Sequence, residues 1–339
     1  MAADLTLRVK HLAAEFGFAT AGIAPATAVD GTWRQRFEQW LAEGHAAAMD
    51  YMHRDPARRF DPQRVVDEAR SVIVLATSYA PDPNDPVGDI DIARYARGRD
   101  YHKVLKKRAH ALCDRLRDMA PDFAGRAFVD SAPVAEKSLA VLAGLGWIGR
   151  NGLLIVAGLG SYVLLTEIVC NLPLTPDAPS GGSCGPCRAC IDVCPTAALL
   201  GDGLLNVRRC LSYRNKGGRS LPREYWPAAG VRVFGCDACQ EVCPHNIDVP
   251  PGDPQLRSSP GRRALQLADL LAWSEKDFNA ATRGSPVRRA GYDALMLHAV
   301  VAAGNARRTD LRGRLEALGR DRPALAEAVA WALARIEGD

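Results

Sequence analysis

The chain has no apolar run approaching the roughly 18 residues a membrane-spanning helix needs. Its start carries neither an apolar leader nor a twin-arginine pattern, so a cytoplasmic protein with no membrane partner is expected. Net charge is small: 43 Lys plus Arg against 39 Asp plus Glu leave +4, and total charge excludes no class of partner. Aromatic residues make up 6% of the chain against 47% apolar content, so aliphatic side chains must build its cores. At 339 residues there is length for two or three domains. Cysteine is almost missing from most of the chain. Of the 10 present, Cys113 falls in a helical pattern and Cys170 in an apolar run, and both read as core residues. An intracellular setting also argues against disulfides.

The other cysteines crowd between Cys184 and Cys243. Cys184 to Pro195 reads CGPCRACIDVCP, Cys236 to Pro244 reads CDACQEVCP, and Cys210 stands alone between them. This spacing wraps thiolates around iron-sulfur cubes and passes the last cysteine of a run to the neighbouring cube, so two 4Fe-4S clusters are expected. Cys184, Cys187 and Cys190 then serve one cluster, with Cys243 crossing over as the fourth ligand. Cys194, Cys236 and Cys239 serve the other, and Cys210 completes it. Pro195 and Pro244 stop a helix from continuing across each cluster. Structural zinc uses paired C-x2-C units too, but with a longer spacer between pairs.

Charge is uneven along the chain. Between Arg94 and Arg108 seven basic residues stand against Asp100 alone, with Tyr95, Tyr101 and His102 interleaved. From Arg208 to Arg223 there are six basic residues and no acid, with Gly217 and Gly218 suggesting an exposed loop. Arg283, Arg288, Arg289, Arg307 and Arg308 form a third group. Three basic groups in three segments fit a polyanion that touches several domains. Solvated helix faces are the plainer alternative.

Residues 5–16 show helical spacing behind Asp4, an acceptable N-cap, and Gly17 should end that helix. A second helix is expected over Trp33 to Leu41, then an irregular loop from Tyr51 to Pro62. Ser71 to Tyr79 reads as a buried strand, Tyr101 to Leu116 as a helix and Arg126 to Val129 as a strand. The next helix should begin just after Ser131 with Pro133 near its first position, and end at Gly144 and Gly146. Leu153 to Val156 and Tyr162 to Val169 complete the strands. Alternation of strands and helices indicates an α/β domain, with Asp130 at a strand-to-helix turn where such folds place ligands. Arg263 to Leu271, Val287 to Ala303, Leu311 to Leu318 and Pro323 to Ile336 are helix-like. The expected fold is α+β and multidomain: an α/β domain over residues 1–175, a ferredoxin-like two-cluster domain over 176–250, and a helical repeat-like (HEAT-like) cap over 260–339.

VDSAPVAEK (Val129 to Lys137) and AGLGWIGRN (Ala143 to Asn151) resemble the epoxyqueuosine reductase family. So do GRDYH (Gly98 to His102), GSYVLLTEI (Gly160 to Ile168), RRCLSY (Arg208 to Tyr213) and FGCDACQEVCPHN (Phe234 to Asn246). The resemblance implies an oxidoreductase that reduces epoxyqueuosine to queuosine at the wobble position of tRNA, the last step of queuosine biosynthesis. It implies that the N-terminal domain holds cobalamin without a covalent link and that the clusters feed it single electrons. Its partners would be a tRNA anticodon stem-loop and an electron donor such as a flavodoxin or ferredoxin system, with the chain a monomer. Asp130 matches the family's proton donor, a role that calls for a carboxyl pKa raised by burial. Read alone, Asp130 is also a plausible helix cap. Arg59, Arg150 and Ser212 match positions that look like cobalamin contacts. Arg214 and Lys216, in the acid-free basic stretch, are the candidate tRNA contacts. The chain departs from the family after Tyr213, where it reads RNKGG, and at His245, where Trp is frequent.

Two rival functions fit part of this pattern. A cobalamin-dependent reductive dehalogenase would share the cofactors, yet usually carries a twin-arginine signal and needs no basic surface. A non-catalytic electron-transfer protein would use the clusters alone.

Overall fold

A computed structural model describes residues 2–85, 88–216, 221–257 and 265–338. The N-terminal part is built on a four-stranded sheet. Helix α1 (Ala2–Glu15) leads into strand β1 (Thr20–Pro25), followed by α2 (Gly31–Ala42) and the single turn α3 (Pro56–Arg59). Then come β2 (Ser71–Ser78), the short β3 (Asp91–Ile92), α4 (Arg94–Arg97), α5 (Tyr101–Met119) and β4 (Gly125–Phe128). Helix α6 (Glu136–Leu142), the hairpin β5 (Gly146–Ile148) and β6 (Leu154–Val156), and β7 (Val163–Cys170) close this part.

The sheet order is β1-β2-β7-β4, and every pairing in it is antiparallel. The α/β expectation is therefore corrected to an antiparallel sheet with helices on both faces. A strand covered on both faces reads as one apolar run whichever way its neighbours point, so β2, buried at every position, carried no direction signal. On one face α1 and α5 cover Ile23, Ile73, Leu75 and Ile168; on the other α6 covers Val72, Val74 and Val169. Strand β1 went unread because Gly22 and Pro25 disguise it. Gly22 is required: a Cβ there would stand 2.1 Å from the Ala143 carbonyl beside α6.

Several boundaries move. Helix α1 starts at Ala2, so Asp4 lies in its first turn, where a negative charge favours the helix dipole, and is not the N-cap. Gly17 ends the helix at φ +81° as expected. Helix α6 begins at Glu136, five residues after Ser131, and Pro133 lies in the loop before it. The expected Val287–Ala303 helix divides at Gly291 (φ +77°) into a 3-10 turn, Pro286–Ala290, and a helix, Tyr292–Asn305. Gly217, Gly218, Arg219 and the proposed helix start at Arg263 lie outside the described residues.

The C-terminal helices do not form a core of their own. Leu267, Leu270, Val300 and Ala332 pack in one buried cluster with Ile90, Ile92, Leu211, Trp226 and Phe234. Strand Arg232–Phe234 pairs in parallel with β3, tying the cysteine-rich segment to the N-terminal part. Gln240 and Asn246, from the second cysteine run, hydrogen-bond Ser161 at the entrance to β7.

Candidate active site and cysteine clusters

The crossed cysteine arrangement is present in space. Cys184, Cys187, Cys190 and Cys243 line one small cavity. Burial, then the neighbouring Cys184, Cys243 and Cys187 thiols, push the Cys190 thiol up. A second group forms around Cys210. Burial raises the Cys239 thiol, and Cys236 and Cys210 add to it; Cys210 in turn feels Cys194. Each group draws on both cysteine runs because the helical turns Ala189–Asp192 and Ala238–Glu241 pack together. Among the described residues no three His, Cys, Asp or Glu side chains converge on a single ion. The thiols of the first group line a cavity, as a cube-shaped cluster requires. The segment is held from outside by Arg94, whose amide donates to the buried Asp237 carboxylate at 2.6 Å and whose guanidinium bonds Glu241 at 2.7 Å.

A larger cavity of about 1100 Å³ opens between α2, α3, α6 and the β5–β6 hairpin. Trp33, Phe37, Trp40, Tyr51 and Phe60 give it apolar walls, while Arg59, Lys137 and Trp147 bring polar groups to them. It exceeds the usual pocket of a drug-sized ligand and suits a large, flat, amphipathic cofactor. Two buried donors on its walls, Arg59 Nε and Trp147 Nε1, have no protein partner, so a ligand with acceptors along its rim would satisfy them.

Asp130 lies on the wall of this cavity, just after β4, with a left-handed backbone at φ +50°. Its carboxylate accepts a short hydrogen bond from the Tyr101 hydroxyl. His102 Nε2 stands 3.5 Å away, while His102 Nδ1 meets Asp100 at 3.0 Å. Arg289, from the C-terminal part, reaches His102 at 3.0 Å and Asp100 at 3.5 Å. The expectation of a raised Asp130 pKa is corrected. Burial does act upward, but hydrogen bonds from His102 and Tyr101 and the charges of His102 and Lys216 outweigh it and hold the carboxyl below its ordinary range. The side chain is 57% exposed, so water on the cavity side limits the burial effect. Burial lowers His102, yet bonds to Asp100 and Asp130 win and its pKa is raised. Tyr101 is held far above its ordinary value by burial and by Asp130.

Asp130 does not cap α6. Its side chain bonds Tyr101 and His102, and the helix starts six residues on. Of the proposed cofactor contacts, Arg59 lines the large cavity and stacks over Phe37 at 5.6 Å. Arg150 instead lines the cavity of the first cysteine group and donates to the Gly185 carbonyl at 3.0 Å. Ser212 sits in the helical turn after Cys210 and is not on the large cavity's wall. Lys216 lies over the Tyr95 ring at 5.8 Å, close enough to Asp130 to lower its pKa. Arg214 stacks on Tyr225 and bonds the Arg208 carbonyl. His245 packs edge-on against Trp147, the residue beneath the large cavity.

The basic groups are less free than their sequence suggests. Arg94, Arg97, Arg108 and Arg308 are committed to Asp237, Asp91, Asp253 and Asp89. A separate groove of about 540 Å³ gathers Arg58, Lys106, His110 and Arg126 on the far side of the Ser131–Pro133 loop. Sequence reading treated Tyr101 and His102 as part of a basic patch. The sole acid of that patch, Asp100, followed directly by Tyr and His, was the available signal.

Comparison with known proteins agrees with this geometry. The family model described as Epoxyqueuosine reductase QueG, DUF1730 matches residues 59–131, and a 4Fe-4S double cluster binding domain matches residues 183–246. The epoxyqueuosine reductase of Pseudomonas aeruginosa is 41% identical over 98% of this chain and 95% of its own length. A solved epoxyqueuosine reductase, bound to a tRNA-Tyr stem loop carrying epoxyqueuosine, superposes with a TM-score of 0.90 at 28% identity, covering 99% of this chain and 91% of that one. The Bacillus subtilis enzyme, solved with its catalytic aspartate loop swung out of the active site, superposes with a TM-score of 0.89 at 27% identity, covering the same shares. With full-length relatives at this identity, the chain belongs to the epoxyqueuosine reductase family.

Proposed function

We propose that this protein reduces epoxyqueuosine to queuosine at the wobble position of tRNA, with two 4Fe-4S clusters and cobalamin as cofactors. The observation that carries the reading is Asp130, joined to Tyr101 and His102 on the wall of a cavity of about 1100 Å³. Cys184, Cys187, Cys190 and Cys243 would hold one cluster; Cys194, Cys210, Cys236 and Cys239 the other. Arg59, Trp147 and the aromatic walls would hold cobalamin. Arg150 and Ser212, beside the two cysteine groups, would act at the cluster side. The chemistry supplied by bound cobalamin is delivery of electrons to the epoxide, replenished singly through the clusters.

Epoxide, two electrons and two protons give an alkene and water, so the protein's own residues must manage two protons. The surroundings favour Asp130 as a carboxylate, and of its two donors His102, with its raised pKa, is the one that can give up a proton, because the Tyr101 hydroxyl is held far above its ordinary value. A substrate base that displaces water from Asp130 adds to the desolvation already acting upward, and the proton moves to the Asp130 carboxyl. Asp130 then protonates the epoxide oxygen as its first bond to carbon breaks, and a second proton, taken from solvent through the same His102–Asp130 pair, leaves with that oxygen as water when its other bond to carbon breaks. Tyr101 fixes the carboxylate for this transfer, and Asp100, itself paired with Arg289, accepts from the imidazolium Nδ1–H and fixes the ring. The loop carrying Asp130 would correspond to the catalytic aspartate loop that is swung out in the Bacillus enzyme.

Lys216, near Asp130, Arg214 and the groove of Arg58, Lys106, His110 and Arg126 supply positive charge for the tRNA backbone. A tRNA substrate would suit a cytoplasmic enzyme; among the described residues no helix is long and apolar enough to cross a membrane. A flavodoxin or ferredoxin system suits clusters that accept single electrons, and one copy of the chain holds every proposed group, as a monomer requires. The test is anaerobic purification with corrin absorbance and iron assayed, followed by turnover of a stem-loop carrying epoxyqueuosine. A fully loaded protein that leaves the epoxide intact overturns the reading.

A further inference from the structure

Behind Asp130 lies a pair of carboxyl groups that the mechanism above does not use. Glu167 sits in the middle of β7, opposite Val74 of β2 on one side and Phe128 of β4 on the other. It has no exposed surface, and neither of its carboxylate oxygens has a hydrogen-bond partner. Side chains alternate along a strand, and Leu165 and Val169 belong to the core covered by α6, so Glu167 points to that face. Glu136 opens α6 on the same face, and its Oε1 accepts the Asp130 amide at 2.9 Å.

Glu167 is fully buried while Glu136 is half-buried on the cavity wall, and two carboxyls on one face of the sheet disfavour each other's ionised form. Burial, then the charges of Glu136 and Asp130, push Glu167 well above its ordinary range, so it takes the proton. Glu136 is pushed up to about 7 by burial and by Asp130, with Lys137 and Arg59 acting the other way. Lys137 is itself tied to the Gly152 carbonyl.

We propose that Glu136 is the positioning residue for Asp130, and that Glu167, as a protonated carboxyl beneath it, keeps Glu136 able to accept the Asp130 amide. The need for such a hold is visible in the backbone. Asp130 adopts a left-handed conformation at φ +50°, which costs any residue but glycine some backbone energy even though Asp and Asn tolerate it best. Between it and α6 the loop makes few backbone bonds, from Val134 to the Ala132 carbonyl and from Ala135 to the Arg59 carbonyl. The bond to Glu136 is strongest when that carboxylate is charged. Protonating Glu136 weakens it and frees the loop. The inference rests on the proposed role of Asp130, and its test is readable without turnover.

Amide hydrogen exchange at Asp130 in the full chain, expressed as protection relative to the unstructured rate, reads the hold directly. At pH 8 Glu136→Ala should lower protection at least tenfold, while Glu136→Gln, which keeps an acceptor oxygen, should lower it less than threefold. In the unmodified protein protection should fall as pH drops through about 7, and Glu136→Gln should abolish that dependence. The infrared carbonyl band of a protonated buried carboxyl should be present at pH 8 and disappear in Glu167→Gln, whose neutral, isosteric side chain preserves folding. Unchanged protection in Glu136→Ala, or equal losses in Ala and Gln, overturns the positioning role; absence of the infrared band overturns the role of Glu167. An intact exchange pattern in a protein that does not reduce the epoxide overturns the functional reading instead.

Discussion

Asp130→Asn separates proton transfer from structure. Asparagine keeps the size of the side chain, tolerates the left-handed backbone at φ +50°, and can still accept from the Tyr101 hydroxyl. It loses the charge that faces His102 at 3.5 Å. Because that carboxylate is more than half exposed, the pair contributes less than about 1 kcal/mol to stability, and the melting temperature should move by no more than about 3 °C. Turnover should respond far more. A lost general acid costs about a hundredfold or more, close to 3 kcal/mol of activation. The assay is single-turnover reduction of epoxyqueuosine in an anticodon stem-loop, with iron and corrin content measured on the same sample. Asp130→Ser should lose turnover to a similar degree and retain cobalamin less well. Near-normal reduction by a fully loaded Asn variant would leave the acid role untenable.

Cys210→Ala should lose the iron of about one cluster and keep the other; iron equal to the unmodified protein would remove Cys210 from the ligand set. Stem-loop binding should weaken steeply with salt, and Lys216→Glu or Lys106→Glu should raise the apparent Michaelis constant with iron content unchanged, whereas salt-independent binding refutes the electrostatic account. The rate should fall as pH rises through the raised His102 pKa, because only the imidazolium carries the proton, and His102→Gln should flatten that limb. His298, buried with Nδ1 on the Val233 carbonyl, has its pKa lowered by burial to about 4 from 6.5. The unfolded chain therefore binds its proton first as pH falls below 6.5, and stability should drop by about 3 kcal/mol between there and pH 4. His298→Asn should remove that part of the slope in urea titrations; an unaltered slope refutes it.

The cysteine groups were legible because ligand spacing is a covalent pattern, written along the chain and independent of how the rest folds. Strands β2 and β7 were legible too, from apolar runs of strand length, and the short β4 from the segment Arg126 to Val129. Their directions were not, since a run covered on both faces looks alike in parallel and antiparallel sheets. Helix α6 was placed too early because Pro133 after Ser131 imitates a helix start, while the chain instead spends Ser131–Ala135 on the loop beside Asp130. The basic patches misled in a different way. Their partners, Asp89, Asp91, Asp237 and Asp253, mostly lie far off in sequence, so neutralisation could be seen only after folding.

The same limit explains the Asp130 correction. A carboxyl just past a strand, read alone, invites the expectation that burial raises its pKa. In the fold, the residues that outweigh burial come from α5 and from the segment after Cys210: Tyr101 and His102 at the start of the helix, Lys216 from the cysteine-rich part, with Arg289 from the C-terminal part paired to Asp100, the partner of His102. The segments carrying Lys216 and Arg289 share the buried core that joins the C-terminal helices to Ile90–Ala96, whereas α5 packs in the core of the N-terminal sheet. A carboxylate held ionised at rest is a poor acid until its surroundings change. If Asp130 is the acid proposed above, a substrate base covering its exposed side would be the change that converts it, and proton delivery would then be tied to the presence of substrate.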